Sequence, residues 1–482
     1  MLRCYHRSGD TSALDMVHKT LTAMRRGGLW DHVGFGFHRY STDERWLLPH
    51  FEKMLYDQAL IATAYLEAYQ ITKEPLFAET AEDIFTYVLR DMTSMEGAFY
   101  SAEDADSEGE EGKFYIWTTE EIRSVLENEN TQMWETILRV SPEGNFADEA
   151  TRQKTGANIL HLTAPLEKWA EKFNLPPEQL KSDWRKIREQ LYQVREKRIH
   201  PLKDDKILTD WNGLMIAALA LGARILKKPE YERAARNAAN FILSKMQAKD
   251  SRLYHRYREG ELAVDAHAAD YAFLIHGLLS LYQTTFDLAF AEHAQVLQKK
   301  MEALFWDKQN GGFFSTPEGS TELPVRPKEL YDGAIPSANS VALFNLVFLF
   351  RLTGDPQWDH QAQEQVRAFS GTVQSQPQAF TYFLCALDLF LRPGQEIIIA
   401  GEPQATNTQE LLSALNLNYT PNKVALVKSE QNAARLSKFA GYTDGLQVIE
   451  GQATAHVCRN GSCTDSTNDI QTMVDKIMGK TS

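Results

Sequence analysis

Apolar residues recur at helical spacing over most of residues 10–392, as in Leu60, Ile61, Ala64, Tyr65 and Ala68, or Ile216, Ala217, Leu219 and Ala220. Helices rich in Ala and Leu on several sides must pack on several sides. The pattern therefore predicts interior helices alternating with amphipathic ones. Between them lies a loose repeat. A Gly-aromatic segment follows a long helix and then a new helix opens on an acid or amide. The segments are 27–38, 96–101 and 311–315, with a weaker copy at 251–257, each read as a short β-hairpin. The openings are Asp57-Gln58, Asp210-Trp211-Asn212, Asp270-Tyr271 and Asn339. The last three lie 60 and 69 residues apart (270 − 210; 339 − 270), the length of two helices and two loops. About a dozen helices fit, which suits an α/α toroid of six hairpins. Residues 118–200 are least regular, with helices expected at 120–128, 166–173 and 177–197 and a loop at 141–156. After residue 392 the pattern changes to strand 395–400, helix 408–415, strands 424–427 and 454–458, and helix 469–478. This divides the chain into a barrel, 1–392, and a small α/β region, 393–482. Residues 2–10 read like the end of a helix, so the barrel's first helix is expected to be truncated.

Composition narrows the partners. Lys plus Arg is 51 and Asp plus Glu 65, giving a net charge of −14. No basic excess exists to replace counterions on phosphate, which argues against nucleic acid. Aromatics make up 11% of the 482 residues, suited to a neutral small molecule such as a sugar. The longest apolar run, 341–350, is too short to span a membrane, and the N-terminus lacks a signal-peptide core, so a cytoplasmic protein is expected. Four cysteines make no disulfide framework. Cys458 and Cys463 are expected as ordinary reduced thiols.

Five stretches concentrate chemistry. The first, 28–57, holds Trp30, Asp31, His32, His38, Arg39, His50, Glu52 and Asp57, with acid, base and cation together. Caps and surface polars are its bland explanation. Glu103, Asp104 and Asp106 follow the second aromatic segment; an EF-hand there fails, because Tyr115 stands where a bidentate Glu is required. Asp210 and Asn212 flank Trp211, a stacking platform or merely a helix cap. His267 and Asp270 lie three apart on one helical face beside Tyr271. Asp332 sits in a Gly/Pro-shaped loop before Asn339. No phosphate loop, dinucleotide fingerprint, nucleophile elbow or zincin motif is present, and no cofactor is expected.

The stretch GGLWDHVGFGFHRYSTDERWLLPHFEKMLYD, residues 27–57, resembles the signature of the YyaL-like family, which includes spermatogenesis-associated thioredoxin-domain proteins. Residues 100–106, 113–117, 210–213 and 332–339 match its later motifs in order. The resemblance implies an (α/α)6 barrel similar to six-hairpin glycosidases and to the N-acylglucosamine 2-epimerase and cellobiose epimerase enzymes. It also implies a thioredoxin-like domain preceding the barrel, which is not expected within these residues.

The leading expectation is a carbohydrate-active enzyme. As an epimerase or isomerase, His267 or His50 would move a proton and Arg39 would polarise the oxygen. As a glycosidase, two of Glu52, Glu103, Asp104, Asp210 and Asp332 would form the carboxylate pair. Asp270 completes the catalytic candidates. Trp30, Trp117 and Trp211 would stack on sugar faces, with His32, His38, Asp57, Asp106, Asn212, Tyr271 and Asn339 as further binding candidates. The alternative is a non-catalytic binding module acting with a thioredoxin domain. A metal site from His32, His38 and His50 matches no standard spacing; no metal is expected.

Overall fold

The computed structural model describes residues 1–126, 130–147, 153–320, 324–459, 462–463 and 466–479. The fold is mainly α, with a small C-terminal α/β region. Among the described residues, no helix is long and apolar enough to cross a membrane. The chain forms two compact units.

The first unit comprises Met1–Tyr65, Leu76–Thr93 and Tyr100–Asp205. It opens with helices α1 (Leu2–Ser8) and α2 (Thr11–Arg26), followed by α3 (Leu55–Thr72) and α4 (Pro75–Asp91). Asp10 caps α2 by accepting from the Ser12 amide. The first unit's part of α3 buries Leu55, Ala59, Ala62 and Tyr65, and the Tyr65 hydroxyl donates to the Leu21 carbonyl. The irregular region contributes α5 (Thr119–Leu126), α6 (Thr131–Ile137), α7 (Leu166–Phe173) and α8 (Pro177–Arg195). These share an apolar cluster built on Trp117, Ile122, Trp134, Trp169 and Trp184. The expected helix 120–128 is seen to Leu126; residues 127 and 128, and 148–152 of the expected loop, lie outside the described residues. Short strands β1 (Tyr40–Ser41) and β2 (Pro49–His50) pair, and β3 (Lys53–Met54), β4 (Ala102–Glu103) and a strand at Lys203–Asp204 form an antiparallel sheet.

The second unit comprises Leu66–Pro75, Ser94–Phe99 and Lys206–Ser482. Its helices are α9 (Thr209–Leu226), α10 (Pro229–Lys245), α11 (Ala268–Thr285), α12 (Leu288–Phe305), α13 (Ala338–Thr353), α14 (Pro356–Ser375) and α15 (Thr381–Leu391). Helices α9, α11 and α13 bury residues on every side, whereas α10, α12 and α14 bury one stripe. That is the predicted alternation. Two glycines bring α9 and α11 together. A Cβ on Gly213 would lie 2.4 Å from the Phe273 carbonyl carbon, and one on Gly277 2.6 Å from the Gly213 oxygen.

The repeat has a physical basis. The Gly-aromatic segments close with a single bridge, Trp30 to Phe37 and Trp306 to Phe313. Each is then gripped by an amide side chain from the following apolar helix. Gln58 accepts from the Phe37 amide and donates to its carbonyl, at 2.9 and 2.8 Å. Asn212 does the same to Phe99 and Asn339 to Phe313, all at 2.8–2.9 Å. The weaker copy extends into a true hairpin, Tyr254–Arg258 with Glu261–Asp265.

Residues 393–482 form part of the second unit. Strand Gln395–Ala400 pairs parallel with Lys423–Lys428 and antiparallel with Thr454–Arg459. Helices Thr406–Leu415 and Ile470–Met478 pack on the sheet through Leu411, Leu412, Met473 and Ile477. Gln283, at the end of α11, grips Ala425 through both its N–H and its carbonyl. One cysteine expectation is corrected: Cys458 and Cys463 are disulfide-bonded. Their spacing joins two strands whose register places them opposite each other, a pairing that spacing alone does not reveal.

Candidate functional site

Three polar groups emerge, two in the first unit and one in the second. The first centres on Asp31. Its carboxylate lies 2.7 Å from Lys53 Nζ and 2.8 Å from Arg195, and it also accepts from the Val33 and Gly34 amides. Burial opposes its charge, but Arg195 and Lys53 outweigh that and hold it well below the ordinary carboxylate range. Lys53 also donates to the Phe35 carbonyl and lies over the Tyr87 and Tyr115 rings. A polar cavity of about 80 Å³ is lined by Lys53, Tyr87, Glu103, Tyr115 and Arg195 among others. Glu103 accepts from the Tyr87 hydroxyl at 2.7 Å and faces Lys203 at 3.4 Å. Lys53 and Arg195 were not sequence candidates. Arg195 is 164 positions from Asp31, and no local pattern announces such a pairing.

The second group brings together Arg39, His50, Glu52 and Asp57. Arg39 donates to Glu52 at 2.7 Å. His50 Nε2 lies 3.1 Å from the same Glu52 oxygen, and its Nδ1 lies 2.7 Å from Glu111. Tyr40 stacks on the imidazole, with ring centroids 5.1 Å apart. The pairing of β1 with β2 sets Tyr40 opposite His50. Asp57 stands in the first turn of α3, with one carboxyl oxygen buried and lacking a hydrogen-bond partner. Burial raises it to about 7, with Arg39 opposing and Glu52 assisting. The helix N-terminus favours the anion, so the carboxyl is poised between its two states near neutral pH.

The third group lies at the starts of α9 and α11. Asp270 is fully buried. One of its oxygens accepts from the Asp210 amide at 3.2 Å and faces His255 Nδ1 at 2.9 Å; the other accepts from the His267 amide at 2.8 Å. Burial and the Asp270 charge push Asp210 up. Burial disfavours charge on His255, but its hydrogen bond to Asp270 and that carboxylate's charge outweigh this and raise it. His267 borders a cavity of about 340 Å³ that also takes in Arg252, Asp265 and Tyr271. His255 falls inside the weak repeat copy but was not singled out.

Other candidates do structural work. Trp30 and Trp117 are 1% exposed, leaving no ring face for a sugar. Trp30 packs on Phe37 and beneath Arg25; Trp117 packs beneath Arg198. His32 and His38 are buried against the Gly27 and Phe51 carbonyls, and burial depresses both to about 3. Neither joins His50. Asn212 and Asn339 are the backbone grips described above. The Tyr271 hydroxyl accepts from the Leu253 amide. Asp332 accepts from the Ser337, Tyr382 and Phe383 amides, holding its own loop and the start of α15. Asp104 and Asp106 are exposed, and Trp211 is half-buried.

No protein-family model matches the chain. The chain is similar to spermatogenesis-associated protein 20 of Homo sapiens. Identity is 36% over 479 residues, covering 94% of this chain and 61% of the human protein. An uncharacterized Caenorhabditis elegans protein is 29% identical, covering 95% of this chain and 65% of its own length. The chain thus spans less than two thirds of these curated relatives. Among solved structures, a family 76 glycoside hydrolase from a bovine Bacteroides thetaiotaomicron strain aligns with a TM-score of 0.49 at 10% identity, covering 86% of this chain and 71% of that one.

Proposed function

We propose that this chain is the barrel portion of a protein of the spermatogenesis-associated protein 20 family, and that it is a carbohydrate-active enzyme working by acid/base chemistry at Arg39, His50, Glu52 and Asp57. The observation that carries this reading is Asp57, a carboxyl with one buried, unpartnered oxygen, raised to about 7. Such a group can give or take a proton at neutral pH. In an epimerase or isomerase, His50 moves the proton at the carbon next to a carbonyl and Arg39 polarises the oxygen. In a glycosidase, Asp57 serves as the acid and Glu52 as its carboxylate partner. The net charge of −14 supports a neutral small molecule rather than nucleic acid, and a cytoplasmic location belongs to the same reading.

The test is an NMR screen of sugars and sugar phosphates in deuterated water. Deuterium at C2 identifies epimerase or isomerase chemistry, and a cleaved linkage identifies hydrolysis. Asp57→Asn lowers turnover by about 10²–10⁴-fold in either case. A blank panel removes the enzyme reading. It leads instead to a binding module serving the thioredoxin-like domain that the family resemblance implies, for which the relatives' additional length leaves room.

A further inference from the structure

Two imidazoles and a carboxylate meet at the start of α11, in the second unit. His255 comes from strand Tyr254–Arg258, while His267 directly precedes α11 and Asp270 lies in its first turn. One ligand atom from each lies within 4.8 Å of the other two. His255 Nδ1 is 2.9 Å from one Asp270 oxygen and His267 Nδ1 is 3.8 Å from the other. Ligand atoms about 2.0–2.1 Å from a tetrahedral zinc ion stand about 3.3 Å apart, so small side-chain adjustments bring one atom from each of the three within reach of a single ion. The two rings stand edge to face at 81°.

We propose that His255, His267 and Asp270 form a binding site for a zinc-like divalent ion, with the remaining coordination position facing solvent. The donor set selects the ion: imidazole nitrogen and carboxylate oxygen suit zinc and its neighbours, not calcium or magnesium. Three protein ligands and an open position describe a site that holds a water or a substrate oxygen rather than a closed structural one. The surroundings already hold the carboxylate in place, since the Asp210 and His267 amides donate to its two oxygens. The open side is the His267 side, which borders the 340 Å³ cavity. On binding, the ion takes the place of the proton between His255 Nδ1 and Asp270, and that proton passes to solvent.

This inference does not depend on the acid/base reading at Asp57. The whole chain, stripped with a chelator and dialysed, is titrated with Zn²⁺ by calorimetry and with Co²⁺ by visible absorption. One equivalent binds, and Co²⁺ gives the bands of a low-coordinate nitrogen and oxygen site. His255→Ala and His267→Ala each weaken binding at least about 100-fold, beyond the range that loss of a supporting contact causes. Asp265→Asn, a cavity carboxylate outside the ligand set, binds as the parent does. Circular dichroism establishes that the variants are folded; should His255→Ala fail to fold, His267→Ala carries the test alone. Absence of stoichiometric binding in the parent overturns the proposal, as does unchanged binding in folded His267→Ala.

Discussion

Lys53 shows how far a single residue's role depends on what surrounds it. The sequence places it between a glutamate and a methionine, an unremarkable surface lysine by type. Its ammonium is instead buried between Asp31 and the Phe35 carbonyl. Lys53→Met leaves Asp31 with Arg195 as its remaining ion-pair partner, and an expected loss of about 3–5 kcal/mol is checked by urea denaturation. Asp57 makes a prediction of opposite sign. Its folded value of about 7 lies above its ordinary 3.8. Between those values the folded state keeps a proton that the unfolded state releases. Stability therefore falls as pH rises through that window and levels off above it. Asp57→Asn removes this slope and raises the melting temperature at about pH 8, measured by thermal denaturation across pH; an unchanged slope counts against it. The histidines of the stretch richest in chemistry divide. His50 reaches two carboxylates while His32 and His38 are neutral core residues. Type and spacing are alike for all three; only burial separates them.

At the scale of elements, the alternation of apolar and amphipathic helices was legible because it is local chemistry written at a period of 3.6 residues. The repeat was legible as well, but its meaning was not. Asn212 and Asn339 were read as binding residues, and they grip backbone. An amide can accept from an N–H and donate to a carbonyl at once, which is what a two-residue bridge without a ladder lacks. Asn339→Ala leaves the Phe313 amide and carbonyl buried and unsatisfied, an expected cost of about 1–3 kcal/mol each. At a pH where the acid is protonated, Asn339→Asp keeps the acceptor and one donor but not the second N–H that Asn339 gives to the Glu329 carbonyl, so denaturation midpoints should fall in the order parent, Asp and Ala. Gly213 and Gly277 give a steric counterpart. Gly277→Ala drives a methyl group into the Gly213 carbonyl and lowers the melting temperature, although alanine favours helix.

Across the whole molecule, the elements change near residue 392 from helices to a mixture of strands and helices. The change falls within one compact unit, because Gln283 and Phe286 at the end of α11 pack against the α/β region. Hydrogen exchange should therefore show residues 395–400 and 423–428 opening together with α11; much faster exchange of those strands would mean the α/β region opens independently. The sequence by itself determined helix content, the order of elements, the repeat and the residues rich in chemistry. These follow from periodicity and side-chain type, which each residue carries regardless of its neighbours in space. Tertiary structure decided which polar residues are charged, which are buried and which meet. Asp31 with Arg195, His255 with Asp270, and Cys458 with Cys463 are matters of register and packing. The energies that make a carboxylate a salt-bridge anchor, a proton donor or a metal ligand depend on distance and desolvation, and neither exists until the chain folds.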